Sequence, residues 1–349
     1  MVEGSSLNQS FLFYIAQNYS FEILRPLQQE ILARGGRVLW FVYGHDVAVD
    51  KFTQDEEYTR DAATAIAFNP TATYVPGNLV PNFIPGLKVQ VFHGLEWKKK
   101  GHFVIRGCFD LYCTHGNATT SRFKELAKKH GYFDVVETGW PKLDPLFTCP
   151  PFKWPEQTDK PVVLFAPTFS PALTSAPALF EKIKRLVEQN DWQWLVKFHP
   201  KMDPQWIAQY KQITGDNYQV IDDLSVSSLL QAADVLVSDT SSIIGEFALL
   251  GKPVVTLNNS QPGEYLIDID TAEDLEKSIA TALTDNSALK QRIAEYAQDL
   301  HPYYDGKSAQ RILDATLAMA KSPNTALKTK PLNLFRNFKI RKKLKYWKF

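Results

Sequence analysis

The sequence predicts an α/β protein built from two Rossmann-like lobes facing each other, followed by a basic C-terminal tail. Three observations predict it. Short apolar runs alternate with amphipathic stretches along the chain, the mark of parallel sheets covered by helices. The alternation breaks at Cys149–Lys160, CPPFKWPEQTDK, which is rich in Pro and polar residues and reads as a linker. The 349 residues suit two domains.

In the first lobe, residues 1–150, Phe11–Ala16 reads as a strand. A helix over Phe21–Arg34 follows, with Ser20 as N-cap and Gly35-Gly36 as its stop. Arg37–Tyr43, Lys88–Phe92 and Asp110–Thr114 read as further strands. Ser121–His130 is helical and Asp134–Thr138 extended. In the second lobe, residues 151–320, strands are expected at Val162–Ala166, Trp194–Phe198, Tyr218–Ile221, Val235–Val237 and Val254–Leu257. Helices are expected at Ala176–Gln189, Pro204–Thr214, Val226–Ala232, Ile243–Leu250, Thr271–Thr284 and Ala288–Leu300. A last helix follows the turn Asp305–Ser308. Ligands of such sheets sit beyond the carboxyl ends of the strands.

Composition narrows the function classes. Hydrophobic residues make up 44% and charged residues 22%, which excludes a disordered chain or a collagen. Three Cys cannot pair fully and lack metal-ligand spacing, so a reducing, cytoplasmic setting is expected. No apolar run reaches the length of a membrane span, and no basic region precedes Phe11–Ala16 as in a secretory signal. The net charge of +1 hides an asymmetry: residues 321–349 hold ten Lys or Arg and no acid, leaving a net of −9 for the rest. A nucleic-acid surface would stripe the fold itself with basic residues, so no nucleic-acid partner is expected.

Four strand exits carry the chemistry. In Ala233–Thr256, a strand ends at Ser238-Asp239, and Thr240, Ser241 and Ser242 precede a helix. This turn either caps the helix or binds phosphate through free N–H groups and hydroxyls. Glu246, one turn on, favours the phosphate reading because it would reach a ribose hydroxyl. Gly251-Lys252-Pro253 closes that helix. In Val196–Lys201 a strand delivers His199, with Lys201 beside it as a fixed charge. In Gln90–Gly101 a strand ends at His93, and Gly94 would supply a positive φ that exposes the imidazole. Glu96 and the run Lys98–Lys100 follow, the run reading mostly as a solvated loop. His93 would face His199 and the Ser241 turn across the cleft. In Val162–Ser170, Thr168 either contacts phosphate or caps the next segment. His45, His102, His115 and His130 read as surface or packing residues. No carboxylate cluster indicates a metal, and no cofactor is implied; Asp222-Asp223 reads as a solvated pair.

The ordered set resembles the CDP-glycerol glycerophosphotransferase family, the teichoic-acid and capsule polymerases. It comprises His93-Gly94, Thr138-Gly139-Trp140-Pro141 with Asp144, Ala166-Pro167-Thr168-Phe169, His199-Pro200, Asp239-Thr240-Ser241-Ser242 with Glu246-Phe247, and Asp305-Gly306-Lys307-Ser308. The resemblance implies a glycosyltransferase type B fold and transfer of glycerol phosphate from CDP-glycerol to a hydroxyl of a lipid-linked or polysaccharide acceptor. It implies His93 as general base, His199 and the Ser241-Ser242 turn on the donor phosphates, and Glu246 near the ribose. Leu95-Glu96-Trp97 departs from the small residue and Pro that often follow His-Gly. Thr240 stands where an aromatic is frequent. The Ser-turn-to-Lys252-Pro253 segment also resembles glycosyltransferases and 2-epimerases that use UDP or GDP sugars. A non-catalytic, membrane-bound nucleotide-binding protein is the other alternative.

The tail from Lys328 interleaves Leu334, Phe335, Phe338, Ile340, Leu344, Tyr346, Trp347 and Phe349 with nine cations. That pattern suits an interfacial segment on an anionic inner leaflet, or else a helix packed on the first lobe.

Overall fold

The computed structural model describes residues 9–95, 101–154, 159–222, 225–284 and 286–347. The chain divides into two compact units, Met1–Asp144 with Leu300–Phe349, and Pro145–Asp299. Both divisions differ from the expected 150/151 and 320/321. At the first, the Leu146 carbonyl accepts from Gln231 Nε2 at 2.6 Å and Phe152 N–H donates to the Ser228 carbonyl at 2.9 Å, so the Pro-rich segment starts inside the second unit. At the second, His301, Ser308 and Asp314 bond to residues of the first unit (Trp140, Asp144 and Arg34), which draws the final helix there.

The first unit holds a seven-stranded sheet. Its strands are β1 (Ser10–Ile15), β2 (Arg37–Val42), β3 (Tyr58–Thr59), β4 (Ala72–Val75), β5 (Leu87–Gln90), β6 (Leu111–Thr114) and β7 (Asp134–Glu137). Their order is β3-β2-β1-β4-β5-β6-β7, with every pair parallel. β4 is buried along its whole length and β1 from Phe11 to Ile15, as central strands of a parallel sheet are. Phe13 of β1 packs edge-on to Trp40 of β2 and to Tyr74 of β4. Sequence reasoning missed β3, β4 and the helix Ala62–Ala67 between them. Ala72–Val75 is four residues between Pro70 and Pro76, too short for a period to register. Ser20 is the first residue of its helix rather than the cap; Tyr19 holds that position without a side-chain bond.

The second unit holds a six-stranded parallel sheet in the order β10-β9-β8-β11-β12-β13. Its strands are β8 (Val162–Phe165), β9 (Gln193–Val196), β10 (Tyr218–Val220), β11 (Val235–Ser238), β12 (Val254–Leu257) and β13 (Ile267–Ile269). The edge strand β13 was missed. β8, β9, β11 and β12 are buried along their whole length, and their apolar faces form one core with the helix Ala176–Gln189.

In both sheets the chain builds three strands outward on one side and then restarts on the other. The point of restart lies between β1 and β4 in the first sheet and between β8 and β11 in the second. Loops leaving adjacent strands in opposite directions open a crevice there, the usual ligand position of open α/β sheets. Among the described residues no helix is long and apolar enough to cross a membrane.

The tail is not a separate element. Its helix Leu334–Leu344 buries Ile340, and Tyr346 stacks on Phe83 at 5.1 Å. Lys330 pairs with Asp110 at 2.7 Å, Arg341 lies 4.4 Å over the Phe83 ring, and Lys343 lies 4.0 Å over Tyr43. Yet Leu332, Leu334, Phe335, Phe338 and Trp347 stay exposed, Phe335 at 88%. Phe349 lies outside the described residues.

Candidate active site

In the first unit, His93 follows β5, one strand away from the restart between β1 and β4. Its Nδ1 lies 3.1 Å from the carbonyl oxygen of Pro76, which follows β4. Its ring stacks on Tyr19, which follows β1, at 5.5 Å. Residues from three strand exits therefore meet at one imidazole. A carbonyl only accepts, so Nδ1 carries the proton and Nε2 is left with its lone pair. The ring is exposed to solvent.

The turn that aims His93 differs from expectation. Gly94 does not adopt a positive φ, and a Cβ there would meet nothing within 4 Å. The left-handed residue is Phe92, at φ 59°. Its ring is enclosed by the rings of His102 and His115, each at 5.3 Å, and of Phe123 at 5.2 Å. Both histidines are packing residues, as expected, but they pack against the turn that carries His93. Burial, with the charge of His93 adding, pushes His102 down to about 4, and burial holds His115 well below the ordinary histidine value. Glu96 and Lys98–Lys100 lie outside the described residues.

In the second unit, the exits of β8, β9 and β11 carry the expected residues. Asp239 is fully buried, so its carboxylate faces the protein rather than a ligand. It accepts from Thr168 N–H at 3.0 Å, Ser175 N–H at 2.8 Å, the Ser175 hydroxyl at 2.9 Å and Thr240 N–H at 2.6 Å. Asn259 Nδ2 donates to the Asp239 carbonyl at 2.5 Å, and Ser260 N–H donates to Thr240 Oγ1 at 3.0 Å. Asp239 thus ties the loop after β8 to the loop after β11, and the loop after β12 pins the same turn. Thr168 is half-buried and its N–H is spent on this tie.

Ser241 is half-buried and Ser242 is exposed. Ser242 takes the N-cap position of the helix Ile243–Ala248, but its side chain makes no capping bond. Neither Asp239 nor Ser242 spends its side chain on capping, which leaves the Ser242 hydroxyl for another partner. Glu246 is half-buried in the first turn of that helix. Lys252 closes the neighbouring helix Val226–Ala232: its Nζ donates to the carbonyls of Gln231 at 2.6 Å and Ala233 at 2.7 Å.

His199 is exposed after β9. Its Nδ1 accepts from Lys201 N–H at 3.0 Å, so the proton of the neutral ring sits on Nε2. Phe169 stacks on the ring at 4.3 Å, and Lys201 Nζ lies 5.8 Å over Phe169. Partial burial, then the Lys201 charge, lowers the His199 pKa, so the ring is neutral near pH 7. Asp222 pairs with Lys211 at 2.6 Å; Asp223 lies outside the described residues. Among the described residues no group of three or more His, Cys, Asp or Glu side chains is placed to hold a metal.

The remaining motifs meet inside the first unit, where Gly139 and Trp140 follow β7 and the Trp140 ring lies 5.5 Å from that of His115. The Asp144 carboxylate accepts from Ser308 N–H at 2.9 Å and Ala309 N–H at 2.7 Å, capping the helix Ser308–Lys321. Trp140 N–H donates to His301 Nε2 at 2.9 Å. Gly139, at φ 79°, sits so close to Ser308 and His301 that a Cβ would approach them within 2.7 Å. Burial lowers His301 to about 4. These contacts join the segment after β7 to the start of the final helix pair of the first unit.

Comparison with known proteins adds to this geometry. The family described as CDP-Glycerol:Poly(glycerophosphate) glycerophosphotransferase matches residues 107–318. The teichoic acid ribitol-phosphate polymerase TarK of Staphylococcus aureus is 25% identical over 210 residues, covering 52% of this chain and 40% of that protein. The chain therefore spans about two-fifths of that relative's length. A structure of the wall teichoic acid polymerase TagF soaked with CDPG superposes with a TM-score of 0.61 at 14% identity, over 92% of this chain and 90% of that one. A UDP-N-acetylglucosamine 2-epimerase superposes with a TM-score of 0.60 at 15% identity, over 93% and 99%. The fold is that of glycosyltransferase type B proteins.

Proposed function

This chain belongs to the CDP-glycerol:poly(glycerophosphate) glycerophosphotransferase family, and from that premise we propose that it transfers an alditol phosphate, glycerol phosphate from CDP-glycerol, to a hydroxyl of a cell-surface polymer acceptor. The observation that carries the reading is the opposite backbone partner of Nδ1 in His93, a carbonyl, and in His199, an N–H, which favours opposite tautomers of the neutral rings. One presents a bare nitrogen, as a base must. The other presents an N–H, as a phosphate-binding group must.

The acceptor hydroxyl is a poor nucleophile until its proton leaves. His93 Nε2 takes that proton as the oxygen attacks the glycerol-bearing phosphorus. The bond from that phosphorus to the bridging oxygen breaks, and CMP leaves with the electron pair. Charge builds on the departing phosphate. His199 Nε2–H, the Ser241 and Ser242 hydroxyls and the Lys201 ammonium stabilise it. Asp239, Thr168 and Thr240 act one step back by fixing the turn that presents the serines, and Glu246 reaches the ribose. Gly94 gives the acceptor room beside His93. Pro76 plays toward His93 the part that a carboxylate plays in hydrolase triads: it fixes the tautomer.

The tail supports association with an anionic membrane surface. Its exposed Leu332, Leu334, Phe335 and Phe338 stand among cations that have no acidic neighbours in the sequence after Lys321. A peripheral position on the inner face of the cell membrane follows, and with it a lipid-linked acceptor. Replacing Leu334, Phe335 and Phe338 together by Ser lowers binding to vesicles containing anionic lipid while leaving donor binding intact; unchanged sedimentation with the vesicles refutes the role.

The second reading, a transferase or 2-epimerase of a UDP or GDP sugar, draws on the comparable superposition with the 2-epimerase. Calorimetric titration separates the two with CDP-glycerol, CDP-ribitol, UDP-GlcNAc, GDP-mannose and CMP. Selective binding of a CDP-alditol and CMP upholds the proposal. Preference for a UDP or GDP sugar overturns it.

A further inference from the structure

Among the described residues, Phe92 is the one aromatic with a positive φ. A bulky aromatic at φ 59° holds that conformation only when its surroundings impose it. Up to this point the chain follows the sheet: Val91 N–H donates to the Val75 carbonyl at 3.1 Å, continuing the pairing of β5 with β4. At Phe92 the backbone leaves the ladder. The next carbonyl of that edge, Pro76, is met by side chains instead, Gln90 Nε2 at 3.2 Å and His93 Nδ1 at 3.1 Å.

The surroundings of Phe92 are two buried imidazoles. His102 lies flat on its ring, 12° from parallel, and His115 meets it edge-on at 78°. His115 is 2% exposed and also bonds the Val91 backbone. Nε2 of each histidine is buried without a protein partner. Leaving a polar atom so is costly, and an apolar ring would fill the same volume without the cost.

We propose that His115 and His102 are positioning residues for His93: they hold Phe92 left-handed, and that turn delivers His93 Nδ1 to the Pro76 carbonyl and leaves Nε2 bare. The functional weight of this inference rests on His93 being the general base; its structural content does not. Neither histidine touches the reacting atoms. Both act through Phe92.

The test reads the His93 tautomer directly, by nitrogen-15 imidazole shifts of the labelled full chain near neutral pH. Wild type shows the Nδ1–H form. His115→Phe keeps a ring in place and removes the bond to Val91. Phe92→Gly keeps the left-handed conformation open to the backbone and removes the clamped ring. Both variants shift His93 toward a mixture of tautomers and lower kcat about tenfold, with the KM for donor within about twofold, a fraction of the full effect of a lost base. A purely structural role would lower the yield of folded protein without moving the tautomer. An unchanged His93 tautomer in Phe92→Gly overturns the proposal, and this outcome remains available if His115→Phe does not fold. A shifted tautomer with undiminished turnover upholds the positioning and instead sinks the reading of His93 as base.

Discussion

His93 and His199 each leave a parallel sheet one strand away from its point of restart, and their Nδ1 atoms meet opposite backbone groups. His93 stands on the side of the fourth strand and donates through Nδ1 to a carbonyl. His199 stands on the side of the second strand and accepts at Nδ1 from a backbone N–H two residues on. The difference lies in the backbone group presented to Nδ1. Where the chain offers a C=O, the neutral imidazole carries its proton on Nδ1 and leaves Nε2 bare. Where it offers an N–H, the imidazole becomes a donor. The same residue type at similar places thus takes its tautomer from the backbone, while the Lys201 charge bears on the pKa of His199 alone.

The sharpest break of this comparison is His93→Gln, which retains polarity and loses the base. Turnover should fall by about 10²–10⁴ while the donor binds as before; a rate within tenfold of wild type removes His93 from the mechanism. The next effect contrasts the units by acid. His301 titrates near 4 when folded, against 6.5 ordinarily. Between those values the unfolded chain binds the extra proton, so stability rises with pH across the interval and is lost as pH falls through it. The shift corresponds to about 3 kcal/mol. His301→Gln, which keeps an acceptor for Trp140, should flatten the dependence of the denaturation midpoint on pH between about 4 and 6.5. An equally steep profile in the variant would place the acid sensitivity elsewhere.

His199 comes third. One hydrogen bond to a charged phosphate is worth about 1.5–3 kcal/mol, so His199→Ala should weaken calorimetric donor binding by about 10–100-fold. His199→Gln places an amide N–H near the lost one and should recover part of it; equal losses in both variants would mean that the ring, not the donor, matters. The smallest effect is Ser242→Ala. With no capping bond to lose, the melting temperature should hold within a degree or so, while donor affinity drops about two- to tenfold. A lower melting temperature with intact affinity would return Ser242 to a capping role.

Much of this was legible in the sequence because parallel strands buried on both faces read as continuous apolar runs that stop at the strand exits. The runs ending at His93, Thr168, His199 and Ser238 are of that kind. Ala72–Val75 was not legible, since two prolines bracket it and four residues carry no period. Gly94 misled: a glycine after a histidine suggests a left-handed turn, but the surrounding rings place that turn on Phe92, and nothing local to Phe92 announces it. Asp239 was found as a site residue but not as a buried tie, because the direction of a carboxylate depends on loops 64 to 71 residues away. His102, His115 and His301 gave no signal; their neighbours are set by the tertiary fold alone.

The cap that Asp144 places on the helix Ser308–Lys321 closes a gap of 164 residues. The second unit is one unbroken stretch of chain, whereas the first is written in two pieces around it. During synthesis the second unit therefore has its whole sequence before the first has its last helix. The sheet that carries His93 must wait, with the Asp144 carboxylate lacking the helix it caps and the helix Ser20–Ala33 lacking the neighbour that Arg34 ties to Asp314. The N-terminal half of the protein is made first and finished last.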